Sequence, residues 1–325
     1  MRIILDVMGA DNKPCEIVKG AVEALNEGIN CDITLVGNET VIREALCEIG
    51  CDAGAFNIVH ADEVVTMEDE PTSVIRTKKK SSMAISLGLL SQGEGDALVS
   101  CGNTGALFTG SVLINKRIKG VRRSGLGIVL PYKSNVLLLD CGANVTVLPD
   151  TLLEFALIGS IYMNKIFGIE NPRVALINNG AEEHKGTPVL QEAYKLLESN
   201  RDINFIGNIE GKDIESGLCD VAVCDGFTGN ILLKTSEGMC RYVMDLVTEK
   251  VGTSPEIREK LSSLYEKFDV TNYGAAPFLG VSKPILKAHG NSNSNAIKHA
   301  LFNAKTYADS DVIEQIEITI NNIKR

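Results

Sequence analysis

Where short apolar runs stop in this chain, Asn, Lys, Asp and Gly follow them repeatedly, and polar groups in such places can hold an anion. Val221-Ala222-Val223-Cys224 leads into Asp225-Gly226-Phe227-Thr228-Gly229-Asn230. The apolar run reads as a buried strand. The two glycines after it permit a sharp backbone turn, and Ile231 onward reads as a helix. Strand, glycine turn and helix start together aim backbone N–H groups at one spot, which suits a phosphate or carboxylate. Ala97 to Ser100 ends likewise at Gly102-Asn103-Thr104-Gly105. Val136 to Leu139 ends at Asp140-Cys141-Gly142-Ala143-Asn144, and Arg173 to Ile177 at Asn178-Asn179-Gly180. Any one Asn or Asp is explained equally well as a turn or cap residue. Repeated at strand after strand, they point to a ligand beyond the carboxyl ends of a sheet. Gly102, Asn103, Thr104, Asn144, Asp225 and Gly226 are therefore candidate substrate-binding residues.

Two further segments add titratable groups. Glu182-Glu183-His184-Lys185-Gly186 follows a strand and precedes Thr187-Pro188, a helix start. Lys185 thus occupies the same kind of strand-end loop as Asn230, and both could face one cleft. His289, in Lys287-Ala288-His289-Gly290, ends the apolar segment Pro284 to Leu286 and joins the substrate-binding candidates. Amides, a lysine and backbone N–H groups suit holding an anion and polarising a carbonyl.

Several chemistries lack their signatures. No G-x-x-x-x-G-K-[ST] loop occurs, no G-x-G-x-x-G follows the first strand, and no G-x-S-x-G elbow is present. His60, His184, His289 and His299 have no H-E-x-x-H spacing. The nine cysteines form no C-x-x-C pair, and neither Cys47/Cys51 nor Cys219/Cys224 has a histidine beside it, so no metal is expected. Scattered cysteines in odd number fit reduced thiols in a cytosol. The net charge of −10 argues against nucleic acid as a partner. Basic residues nevertheless cluster at Arg76-Thr77-Lys78-Lys79-Lys80 and at Lys116, Arg117, Lys119, Arg122 and Arg123.

The elements that must position these groups alternate. Strands are expected at 3–7, 32–36, 97–100, 136–139, 173–177, 203–206 and 221–224, with helices at 16–25, 39–49 and 106–114. Such alternation predicts an α/β fold with a mostly parallel sheet between helical layers. Leu126 to Leu130 and Val136 to Leu139, split by Pro131-Tyr132-Lys133-Ser134-Asn135, predict one antiparallel hairpin. At 325 residues the chain forms one unit of function, with room for two α/β lobes and a cleft between them. No apolar run approaches membrane-spanning length. Late in the chain, Met239, Tyr242, Val243, Leu246 and Val247 form one helical stripe. Ile257, Leu261, Leu264, Tyr265 and Phe268 form another. Both stripes suit core or dimer packing, and alternatively a membrane surface.

Ile3-Ile4-Leu5-Asp6-Val7-Met8-Gly9-Ala10-Asp11, Glu70-Pro71-Thr72-Ser73-Val74-Ile75-Arg76, Gly102-Asn103-Thr104-Gly105-Ala106 and Asp225 to Asn230 resemble the bacterial phosphate acyltransferases. So do Tyr273-Gly274-Ala275-Ala276-Pro277-Phe278-Leu279-Gly280 and Lys287-Ala288-His289-Gly290. These are the acyl-acyl-carrier-protein:phosphate transacylases of the PlsX type. The motifs run in order along almost the whole chain. Ala10 and Asn12 depart from the pattern, standing where a second Gly and a His are usual, and Asn178-Asn179-Gly180-Ala181 varies its loop.

The resemblance implies an α/β/α sandwich similar to phosphotransacetylases and isocitrate dehydrogenases. It implies a cytoplasmic homodimer without cofactor, one that can sit peripherally at the inner membrane face. The implied substrates are acyl-acyl-carrier protein and inorganic phosphate. The implied product, acyl phosphate, goes to a membrane glycerol-3-phosphate acyltransferase for phospholipid synthesis. The family's catalytic lysine and asparagine fall on Lys185 and Asn230. An isocitrate-type dehydrogenase and a non-catalytic carrier-binding scaffold are the alternatives on the same architecture.

Overall fold

A computed structural model describes residues 1–251 and 275–323, and the chain divides into two compact units. The stripe Ile257, Leu261, Leu264, Tyr265 and Phe268, and the pair Tyr273-Gly274, lie outside the described residues.

The first unit joins Met1–Ser124 to Gly274–Arg325. In β1 (Arg2–Asp6), Ile3, Ile4 and Leu5 have no exposed surface, as expected of a strand covered on both faces. β2 (Asp32–Gly37) and β4 (Ala97–Ser100) flank it in parallel, and β3 (Asn57–His60) lies outside β2. β11 (Ile285–Lys287) continues the parallel set beside β4, and β10 (Ala276–Leu279) pairs antiparallel with β11.

Helix ends follow their capping chemistry. Asn38 accepts from the Val41 N–H to start α2 (Glu39–Ile49), which stops at Gly50 with φ 77°. Ser81 starts α4 (Ser82–Gln92), which stops at Gly93 with φ 81°. α1 (Pro14–Asn26) packs against α9 (Ser294–Asp309) so closely that a Cβ on Gly20 would lie 2.5 Å from Ile297 Cβ. α3 (Ser73–Arg76), α5 (Thr104–Gly110) with its π-helical continuation Ser111–Asn115, and α10 (Val312–Ile323) complete the unit.

The second unit is Gly125–Tyr273. β5 (Gly125–Pro131) and β6 (Asn135–Leu139) form the expected antiparallel hairpin. β6, β9 (Val221–Val223), β7 (Arg173–Ile177) and β8 (Asn204–Ile209) then follow in parallel. α6 (Pro149–Phe167) lies on this sheet, and a Cβ on its Gly159 would come within 2.6 Å of Val221. α7 (Pro188–Ser199) packs on α6 and β8, and α8 (Gly226–Val251) follows β9. At the amino edge, buried Asp220 accepts from the Arg173 backbone N–H at 2.7 Å and from both arms of its guanidinium.

Each unit is therefore a mostly parallel α/β sheet with flanking helices. β3, β10 and β11 go beyond the sequence expectation. β3 is a half-exposed edge strand with only two apolar residues, β11 has only three residues, and β10 carries Pro277, which cannot donate to a ladder.

Candidate active site

In the second unit, parallel pairing puts the carboxyl ends of β6, β9 and β7 on one edge, in that order. Asp140 leaves β6 with no exposed surface, and its carboxylate organises the loop that follows. One oxygen accepts from the Leu126 and Ala143 N–H groups at 2.9 and 3.1 Å. The other accepts from the Asn144 N–H at 2.7 Å and from its side-chain amide at 2.9 Å. Asn144 returns the connection, its carbonyl accepting from Gly226 N–H at 2.8 Å. The first turn of α8 is thereby docked on the loop after β6.

Both glycines of the Asp225–Asn230 segment serve this docking rather than a turn. They lie within the first helical turn of α8, and neither has a positive φ. A Cβ on Gly226 would meet Asn144 backbone atoms at 2.9 Å, and one on Gly229 would come within 2.0 Å of the Asp140 carbonyl oxygen. The expectation of a sharp glycine turn is corrected accordingly: close approach of backbone to helix demands these residues. Asp225 caps α8, accepting from Thr228 N–H at 2.9 Å and from its hydroxyl at 2.8 Å. Gly226 and Thr228 N–H groups are thus already bonded within the protein. One turn further on, Asn230 is exposed, and a Cβ on Gly142 would stand 3.9 Å from its side chain.

The loop after β7 carries Lys185. Buried Asn178 holds it closed: its side-chain amide donates to the Lys185 carbonyl at 3.2 Å, and its oxygen accepts from Asn179 N–H at 2.9 Å. Gln191 of α7 donates to the carbonyls of His184 and Gly186, and Asn208 of β8 to that of Glu182. The stem of Lys185 lies over Gly180, where a Cβ would stand 2.9 Å from Lys185 Cγ. Among the described residues the half-buried ammonium of Lys185 forms no ion pair. Cys141 and Cys224, at the same sheet edge, are fully buried, and burial pushes both thiols up so that they stay neutral. An amide and an ammonium can stabilise negative charge, and with both thiols neutral this edge offers no sulfur nucleophile.

The remaining candidates stand in the first unit, at the carboxyl ends of β1, β4 and β11. Asn103 is almost fully spent inside the protein. It caps α5 through Ala106 N–H at 3.0 Å, and its amide donates to the carbonyls of Thr66, Met67 and Asp69. Gly102 N–H donates to Ser100 Oγ at 3.1 Å; Thr104 and His289 are exposed.

Beneath them lies a buried polar group whose members were not among the candidate site residues. Ser100 donates to Asp6 at 2.7 Å, and the ammonium of buried Lys287 donates to the carbonyls of Cys101 and Ala288. Burial, outweighing the hydrogen bonds of Ser82 and Ser100, raises the Asp6 carboxyl to about 6. Asn12, one of the residues that depart from the family pattern, donates to the carbonyls of Asn291 and Ser292 and ties the first turn to the His289 loop. Asp140 was visible as a strand-end residue, but nothing in its spacing marks it as the hub. Among the described residues no group of His, Cys, Asp and Glu is set to hold a metal ion, and no helix is long and apolar enough to cross a membrane.

Known proteins resemble this chain in both fold and sequence. Its fold is that of a phosphotransacetylase from Streptococcus pyogenes, with TM-score 0.67 over 95% of this chain and 94% of that one at 17% identity. A branched-chain phosphotransacylase from Enterococcus faecalis V583 gives 0.57 over 94% and 99% at 16% identity. The phosphate acyltransferase of Fusobacterium nucleatum is 44% identical over 98% of this chain and 99% of its own length. That of Acetivibrio thermocellus is 42% identical over 100% and 98%. The sequence pattern of the family described as "Fatty acid synthesis protein" matches residues 1–315. With the motifs in order and full-length relatives of one name, the chain belongs to the phosphate acyltransferase family.

Proposed function

We infer that this chain transfers a fatty acyl group from an acyl-acyl-carrier protein to inorganic phosphate, giving acyl phosphate for phospholipid synthesis. The observation that carries the mechanism is the position of Lys185 and Asn230 after neighbouring parallel strands, β7 and β9, at one sheet edge. A phosphate oxygen attacks the thioester carbonyl carbon, and the carbonyl electron pair moves onto its oxygen. Collapse of that oxyanion breaks the carbon–sulfur bond, and the proton of hydrogenphosphate passes to the departing thiolate. Phosphate is nucleophilic at neutral pH, so no covalent enzyme intermediate is needed. Lys185 neutralises phosphate and the developing charge; the Asn230 amide donates to the oxyanion. Asn144, Asp225 and Gly226 shape the substrate site of the second unit, chiefly by fixing loops, and Gly102, Asn103, Thr104 and His289 are substrate-binding residues on the first unit.

Lys185→Ala and Asn230→Ala should each lower kcat by about 10²–10³, the usual effect of removing one oxyanion donor. Acyl phosphate trapped with hydroxylamine reads this out; near-normal turnover in both variants removes the assignment. The relatives' names favour this chemistry over the isocitrate-type dehydrogenase and over a non-catalytic scaffold. The reading extends to a cytoplasmic homodimer working as one catalytic unit, without cofactor. It hands its product to a membrane glycerol-3-phosphate acyltransferase at the inner face. The exposed stripe of α8 supports either a dimer contact or a membrane contact: Met239 and Tyr242 are 56% and 58% exposed.

A further inference from the structure

Lys116, Arg117, Lys119, Arg122 and Arg123 are all exposed, while Ile118 and Val121 between them are 2% and 5% exposed. The segment is held in shape. Ile118 N–H donates to the Gly280 carbonyl at 3.0 Å, and Ser282 N–H to that of Lys116 at 3.0 Å. Arg117 bridges Val281, and the chain reverses at Gly120, φ 96°. Two buried anchors therefore display a fixed row of cations on a chain of net charge −10. Among the described residues Lys116, Arg117, Lys119 and Arg123 form no ion pair, so no internal partner accounts for them. Lys78, in the other basic cluster, is by contrast spent on Asp69 and the Val64 carbonyl.

We propose that Lys116–Arg123 is the docking surface for the acidic carrier protein that presents the acyl thioester. The proposal rests on the acyl-transfer reading above. An overall acidic enzyme repels an acidic partner, and a local cationic patch reverses that repulsion where the donor must land. A phospholipid surface would also attract cations, but membrane-seated segments pair them with inserted apolar side chains. Here the apolar residues point inward.

The test is the triple variant Arg117→Glu, Lys119→Glu, Arg123→Glu, with the matching Gln variant as a milder change. The KM for acyl-carrier protein should rise at least about tenfold at low salt, with kcat kept, and its dependence on salt should flatten. An acyl-pantetheine thioester, which lacks the carrier protein, should keep its KM in the variants. An unchanged carrier KM at low salt, in variants with wild-type melting curves, overturns the proposal. So does a KM that rises equally for the small thioester. Vesicles of anionic phospholipid form a further arm: loss of vesicle binding with carrier KM intact assigns the patch to lipid and overturns it too. Fluorescence anisotropy of labelled apo-carrier protein reads docking without turnover. Tight wild-type binding, lost in the variant, upholds the surface even if no acyl phosphate forms, an outcome that would sink only the acyl-transfer reading.

Discussion

Asp140 and Asp6 end equivalent apolar strands, yet the protein uses them differently. Asp140 accepts from four N–H groups, and an Asn in its place would turn an amide toward some of those donors. Asp140→Asn should cost about 2–4 kcal/mol of stability by leaving buried donors unmet. It should also lower kcat more than it raises KM for phosphate, since the loop under Asn230 loosens; denaturation and steady-state kinetics measure both. Asp6 has its carboxyl raised by burial to about 6. Between about pH 4 and pH 6 the folded chain keeps a proton that the unfolded chain releases. Stability from this group therefore falls as pH rises through that window, and stays level above it. The change is on the order of 3 kcal/mol. Asp6→Asn should remove this part of the pH slope, read from urea midpoints at pH 4.5, 5.5 and 7.5 against wild type.

At the scale of elements, α8 holds two kinds of glycine. Gly229 faces the Asp140 carbonyl at a distance that no Cβ tolerates, whereas a Cβ on Gly238 would meet nothing within 4 Å. Gly229→Ala should lift the first turn of α8 and lower activity sharply. Gly238→Ala should stabilise the protein by about 0.5–1 kcal/mol through helix propensity, with activity kept. Thermal melts and turnover of the two variants test the pair.

The same contrast shows what the sequence could reveal. Runs such as Ile3 to Leu5 announce buried parallel strands, because burial on both faces leaves no room for alternation. The ends of those runs then locate the candidate edge. A glycine, however, reads alike whether it turns the chain or admits a neighbour, and the Asp140 carbonyl that decides the matter arrives from a strand 85 residues upstream of Asp225. An Asn at a strand end is equally ambiguous. Asn103 turns inward to three carbonyls while Asn230 stands exposed, and only the folded neighbours distinguish them.

Over the whole molecule, surface character is uneven. A cationic segment and an apolar helix face both stand out on an acidic chain: Met239, Tyr242 and Val243 are 56%, 58% and 46% exposed. If that face joins two copies, Met239→Glu with Tyr242→Glu should convert a dimer to a monomer in sedimentation; an unchanged mass combined with lost liposome flotation would give the face to lipid instead.

The first unit is interrupted, taking its opening strands from one end of the chain and β10 and β11 from the other. On the ribosome, then, the second unit emerges whole and can mature while its host waits. Until the final fifty or so residues clear the exit tunnel, the flank of β4 stays open as a sticky border. Chains stalled before β11 should therefore aggregate or be held by chaperones rather than give a half-active enzyme.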